Sequence, residues 1–170
     1  MIQITLNTVN NKVSNISSQK DMDDTFDYKE LELFRNEELA VEAYKEFRVI
    51  EGIICKKCKW HKHYWLKPKQ QFQCAACRFR TTLRSGTVLE GGKLPIHYFF
   101  IAMHLLLKKG DSLTVYEFHK YINHKYYEPM WDLFRKLRKY LKDNNKDEIS
   151  TIFYEVVDTY FHRKNNESIQ

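Results

Sequence analysis

Four stretches of the chain repeat apolar positions at the spacing of a helix. In residues 30–50, Leu39, Ala43, Tyr44 and Phe47 form one stripe. Asn36 stands where an N-cap belongs, Glu37 and Glu38 suit the positive end of the dipole, and Gly52 ends the pattern. After Pro95, the positions Ile96, Phe99, Phe100, Met103, Leu106 and Leu107 mark a second helical face, and Gly110 supplies a stop. Thr114-Val115-Tyr116-Glu117 reads as a capping box that opens a short helix with Val115, Phe118 and Ile122 turned inward. Asn123 follows, a residue that tolerates left-handed backbone. Pro129 opens the fourth helix, whose stripe is Met130, Leu133, Phe134, Leu137 and Leu141, with Arg135, Lys136, Arg138, Lys139 and Lys142 on its other faces.

Between the first and second helices the pattern changes to short strands. Tyr64-Trp65-Leu66-Lys67 and Gln71-Phe72-Gln73-Cys74 flank a turn at Pro68-Lys69-Gln70, and Arg80-Thr81-Thr82-Leu83 supplies a third strand. The predicted fold class is α+β, mostly α: a small four-cysteine ribbon followed by a helix-turn-helix-like bundle. Five regions follow. Residues 1–28, rich in Asn, Ser, Asp and Gln, read as a disordered extension. Residues 29–51 read as an amphipathic helix, 52–92 as a zinc ribbon, 93–142 as helix-turn-helix helices, and 143–170 as an acidic tail or a stray strand.

Cys55, Cys58, Cys74 and Cys77 account for all four cysteines and stand as two C-x2-C pairs. Each pair can form a knuckle whose sulfurs face one point, and the hairpin between them brings the knuckles together. Four thiolates then surround one zinc ion at about 2.3 Å. Two disulfides are the alternative. The start, Met1 to Thr5, lacks the basic and apolar parts of a secretory signal, so a reducing cytoplasm is expected, which disfavours disulfides. His61 and His63 lie close to the first knuckle and could substitute as ligands, but four thiolates already complete the site, so they read as solvated or as touching phosphate. A ribbon this small has little apolar core, so metal binding is expected to supply its stability. No apolar run approaches the roughly 20 residues of a membrane span.

Charge is segregated. Residues 1–51 carry 6 Lys/Arg against 11 Asp/Glu, residues 52–142 carry 19 against 5, and residues 143–170 carry 3 against 6. The net charge of +6 thus hides a centre with a surplus of 14 positive charges. A cationic block around a metal site points to a polyanion, and nucleic acid is the usual one; a soluble Lys-rich surface is the plainer account.

The residues resemble a known family. Phe72-Gln-Cys-Ala-Ala-Cys77, Ser85-Gly86-Thr87, Lys93-Leu94-Pro95, Phe99-Phe100 with Ala102, and Leu133-Phe-Arg-Lys-Leu-Arg138 are similar to motifs of bacterial insertion-sequence transposases with an N-terminal zinc ribbon. The likeness covers roughly residues 34–142 and implies a zinc ribbon, a helix-turn-helix and a DDE-type nuclease domain. Glu155-Val156-Val157-Asp158-Thr159-Tyr160 resembles the first nuclease strand, with Asp158 as the first metal-binding aspartate. The Glu that follows this Asp in the family is absent here, as are the triad's other two carboxylates, and Asn123 replaces the family's turn glycine. Two-metal chemistry needs several converging carboxylates, so Asp158 reads as a remnant and the chain as non-catalytic alone.

The function expected is zinc-dependent binding of double-stranded DNA, at transposon ends, in a bacterial cytoplasm and at the nucleoid. Tyr126 and Tyr127 would face base edges at the start of the second helix of the pair. Phosphate contacts would come from Lys125, Arg135, Arg138 and Lys139, and from Lys56, Lys57, Lys59, Lys62, Arg78, Arg80 and Arg84 of the ribbon. Trp60, Tyr64 and Trp65 read as ribbon packing. Two other readings stay open: the DNA-binding half of a split transposase, paired with itself or with a separate nuclease polypeptide, and a ribbon adaptor that binds protein.

Overall fold

Helix α1, Glu37–Glu51, starts where its cap predicts: the Asn36 side chain accepts a hydrogen bond from the Leu39 N–H at 3.1 Å. It ends at Gly52, whose φ of 88° few other residues adopt without strain. The structure, a computed structural model, describes residues 31–163; the extension expected over 1–28 lies outside the described residues. One short turn, Leu33–Arg35, leads into α1 and buries Phe34.

Helix α2, His97–Lys109, is the centre of the molecule. Every residue from Phe99 to Leu106 is buried, including the polar His104, so neighbours cover it all round. Its own first turn has no side-chain cap; Glu37 of α1 does that job. The Glu37 carboxylate accepts from the N–H of Ile96 (2.8 Å) and of His97 (3.0 Å), and meets His97 Nδ1 at 2.7 Å. An anion at orphan N–H groups is stabilising, and here it also fixes the register of two helices. Around α2 the aromatic rings interlock. Phe99 lies 4.8 Å from Tyr44 and 5.6 Å from Phe47, while Phe100 lies 5.1 Å from Phe161 and 5.8 Å from Phe153.

Helix α3, Val115–Ile122, carries the full Thr114–Glu117 capping box and ends at Asn123, φ 54°. Helix α4, Glu128–Asp143, buries Met130, Leu133, Phe134 and Leu137.

The largest departure from expectation is at the end of the chain. Among the described residues, the segment that follows α4 is not a loose tail, and Glu155–Phe161 is not a strand. Lys146–Val157 is helix α5, continued by one wider π-type turn at Asp158–Arg163. Asn145 caps it by accepting from the N–H groups of Asp147 and Glu148. Ile149, Phe153, Val156, Val157 and Phe161 recur at helical spacing and are buried against α1, α2 and the Phe34 turn. Burial of that stripe overrides the strand preference of its β-branched residues.

Strands β1 (His63–Leu66), β2 (Gln71–Cys74) and β3 (Arg80–Thr82) form one antiparallel sheet in that order. His63 pairs with Cys74 and Gln73 with Arg80. Alternation along β2 buries Phe72 and Cys74. Phe72, Leu83, Leu89 and Ile53 belong to the same apolar cluster as the helices. The ribbon is therefore fused to the bundle rather than coreless. Arg48 of α1 fastens it: its guanidinium donates to the carbonyls of Thr82 (3.1 Å) and Leu83 (2.9 Å) and lies 5.5 Å from the centre of the Phe72 ring.

Candidate metal centre and cationic surface

The two cysteine knuckles are built alike. In the first, the Lys59 N–H donates to Cys55 O (3.0 Å) and the Cys55 N–H to Trp60 O (2.9 Å); in the second, Arg78 N–H donates to Cys74 O (3.0 Å) and Cys74 N–H to Phe79 O (2.9 Å). Each knuckle closes with a left-handed residue after its second cysteine, Lys59 at φ 61° and Arg78 at φ 60°. The β1–β2 hairpin and an Ala75 N–H to Lys62 O bond of 2.9 Å bring the knuckles face to face.

All four sulfurs consequently lie within 4.8 Å of one another. Two close pairs cross between knuckles, Cys55–Cys77 at 3.6 Å and Cys58–Cys74 at 3.5 Å. A disulfide requires about 2.05 Å, whereas a tetrahedron of about 2.3 Å metal–sulfur bonds has edges of about 3.8 Å. The four cysteines can hold a metal ion, and four thiolates are the usual ligand set of structural zinc. His61 and His63 stand outside this cluster. Thiol chemistry at the centre agrees with its crowding. The Cys58 N–H, with help from that of Lys57, draws the Cys55 thiol down to about 6. At Cys58 the Trp60 N–H pulls downward, but the neighbouring thiols and burial outweigh it and push that thiol up. Adjacent sulfurs oppose one another's ionisation until a cation joins them.

The cations expected to meet phosphate separate into two groups. Lys57, Lys59, Lys62, Arg78, Arg80, Lys125 and Lys139 are exposed. Lys56 is exposed but paired with Glu90 at 2.9 Å, and Arg135 with Asp132 at 2.9 Å. Arg84 and Arg138 face inward instead. Arg84 donates to the carbonyls of Gly92 (3.4 Å) and Leu94 (2.6 Å), holding the loop between ribbon and bundle. Arg138 donates to the Leu113 carbonyl and ties α4 to the start of α3. Their long-range carbonyl partners could not be read from the chain.

Tyr126 and Tyr127 are exposed at the start of α4. Asp158 is exposed at the end of α5. Sequence patterning missed Trp131. It lies beside the buried stripe of α4, in an exposed row with Tyr127, Arg135 and Lys139. The signal was present in their spacing of four residues.

No protein family, curated protein or solved structure matches the chain. The likeness to zinc-ribbon transposases rests on the residues quoted above. Among the described residues, no helix is long and apolar enough to cross a membrane.

Proposed function

We propose that this chain is a zinc-dependent duplex-DNA-binding module of transposase type, which holds DNA, at transposon ends on the family likeness, and does not cut it. One observation carries the reading. The backbone after each knuckle is left-handed, where glycine would be least strained, yet both positions hold exposed cations, Lys59 and Arg78. A non-glycine residue there costs about 1–2 kcal/mol, and strain retained at paired positions argues for a use of the side chains. Phosphate binding is that use. Lys57, Lys62 and Arg80 extend the same ribbon surface, and Lys125 and Lys139 add cations on the bundle. α3, the Asn123 turn and α4 supply the pieces of a helix-turn-helix, with Tyr126 and Tyr127 toward base edges. Asp158, the carboxylate matched to a nuclease motif, sits on helix rather than strand, which favours holding over cutting.

A second reading has one observation in its favour. Val49, Ile50 and Ile54 are exposed where α1 enters the ribbon, Ile54 to 65%. Such a patch suits a protein partner, either an adaptor's target or the nuclease half of a split enzyme. Fluorescence anisotropy with labelled duplex DNA decides between them. DNA binding predicts that log K falls with log salt by about 0.9 per phosphate contact, or a slope near −5 to −7 for the exposed cations. A slope near zero, or no binding, transfers the chain to the protein-binding reading.

A further inference from the structure

Two rings and two cations lie in line on α4. Tyr127, Trp131, Arg135 and Lys139 recur every fourth residue and all four are exposed, Tyr127 to 44% and Trp131 to 50%. The Trp131 N–H donates to the Tyr127 carbonyl at 3.1 Å, so Tyr127 already belongs to the helical turn. At about 1.5 Å of rise per residue the row runs about 18 Å along the helix. It is also held in place. Asp132 binds Arg135 at 2.9 Å and Lys136 at 2.7 Å, which neutralises the acid. Its grip sets the Arg135 guanidinium 5.7 Å from the centre of the Trp131 ring. Tyr127 rests edge-on against His119 of α3, 5.4 Å between centres. Beside the row, Tyr126 carries Lys125 5.1 Å from its ring centre.

Base edges in a major groove are read by side chains with paired donors and acceptors, such as Arg, Asn and Gln. Indole and phenol faces offer stacking instead, which suits any unpaired base. The geometry points to a second mode of nucleic-acid binding, on a face that shares Tyr127 and Lys139 with the duplex reading: the Tyr127–Trp131 face of α4 stacks unpaired bases, while Arg135 and Lys139 follow the strand's phosphates. The occupant is single-stranded nucleic acid, because its charge complements the cations that continue the aromatic row. This rests on nucleic acid being the ligand, as proposed above, but not on the ribbon's grip of a duplex.

The test compares wild type, Trp131→Ala and Trp131→Phe by anisotropy with a labelled thymidine oligonucleotide of about 12 nucleotides and with a labelled duplex. Trp131→Ala should weaken oligonucleotide binding roughly 5- to 100-fold. Its duplex affinity and melting temperature should stay near wild type, since Trp131 is half exposed, and Trp131→Phe should restore most of the loss. Duplex binding without oligonucleotide binding, or oligonucleotide binding untouched by Trp131→Ala, overturns this site and leaves the proposed function standing. Binding of neither by wild type overturns both. A wild-type dimer in sedimentation that Trp131→Ala makes monomeric, with no oligonucleotide binding, gives the face to self-association and also overturns the site.

Discussion

Replacing Lys59 and Arg78 together by glycine should raise stability and weaken DNA binding. Both hold left-handed backbone, at φ 61° and 60°. A Cβ there crowds the following carbonyl by about 1–2 kcal/mol. Glycine removes that strain but adds about 0.5–1 kcal/mol of backbone entropy to the unfolded chain. The net gain is about 0.5–1 kcal/mol per site, or roughly 1–2 kcal/mol for the pair, read as a higher urea midpoint of the zinc-loaded protein. Binding moves the other way. Losing two phosphate contacts lowers the salt slope by about 1.8, and at 0.1 M salt the counterion contribution is roughly 8-fold per contact, so affinity falls about 60-fold. A stabilised variant with unchanged slope and affinity would refute the phosphate role. A destabilised variant would refute the strain argument. Four thiolates around a dication leave a net charge of about −2. If zinc competition shows weakened metal binding while the DNA slope holds, the two cations serve the metal instead.

Three further expectations concern the scaffold. Arg48→Met keeps an unbranched apolar stem but strips the part-buried Thr82 and buried Leu83 carbonyls of a charged donor; it should destabilise by about 3 kcal/mol in urea unfolding, and a loss under about 1 kcal/mol would contradict the fastening role. Glu37→Gln tests the interhelical cap. Although burial alone would raise it, hydrogen bonds from the His97 ring and the His97 and Ile96 N–H groups hold the Glu37 carboxyl below the ordinary range. Its contribution is therefore present above the unfolded carboxyl value of about 4.3 and lost as pH falls through the lower folded value. The gap in melting temperature between wild type and variant should be widest near neutral pH and close in acid; a gap independent of pH would sink the assignment. Phe153→Ala should cost about 3–5 kcal/mol because α5 is core, whereas a tail would lose almost nothing.

The sequence was most legible where a local rule suffices. Asn36 and Gly52 mark the ends of α1, Thr114 and Glu117 cap α3, and each strand lies within a residue or two of its expected place. The cysteine spacing anticipated the sulfur cluster, because two knuckles and a hairpin are short-range structures. What failed was long-range. Phe72 and Leu83 looked like parts of a coreless ribbon, and only the docking of α1 buries them in the shared cluster. Glu155-Val156-Val157 has β-branched residues and a motif that favoured a strand. The helical cues beside it, the Asn145 cap and the row Ile149, Phe153, Val156, Val157 and Phe161, were equally visible and carry the larger burial. Arg84 and Arg138 counted as surface cations because charge alone does not show which carbonyl a guanidinium will meet.

On the function proposed above, a metal ion in the Cys55–Cys58–Cys74–Cys77 centre holds the cationic ribbon in the shape that grips a duplex. The direct measurement is duplex affinity before and after zinc is stripped by a chelator, with far-UV circular dichroism on the same samples. Because the ribbon's inner face packs on the bundle, the expected result is one zinc per chain, loss of duplex binding on stripping with most helical signal kept, and recovery when zinc returns. Metal-free protein that binds the duplex with the same affinity and salt slope would contradict it.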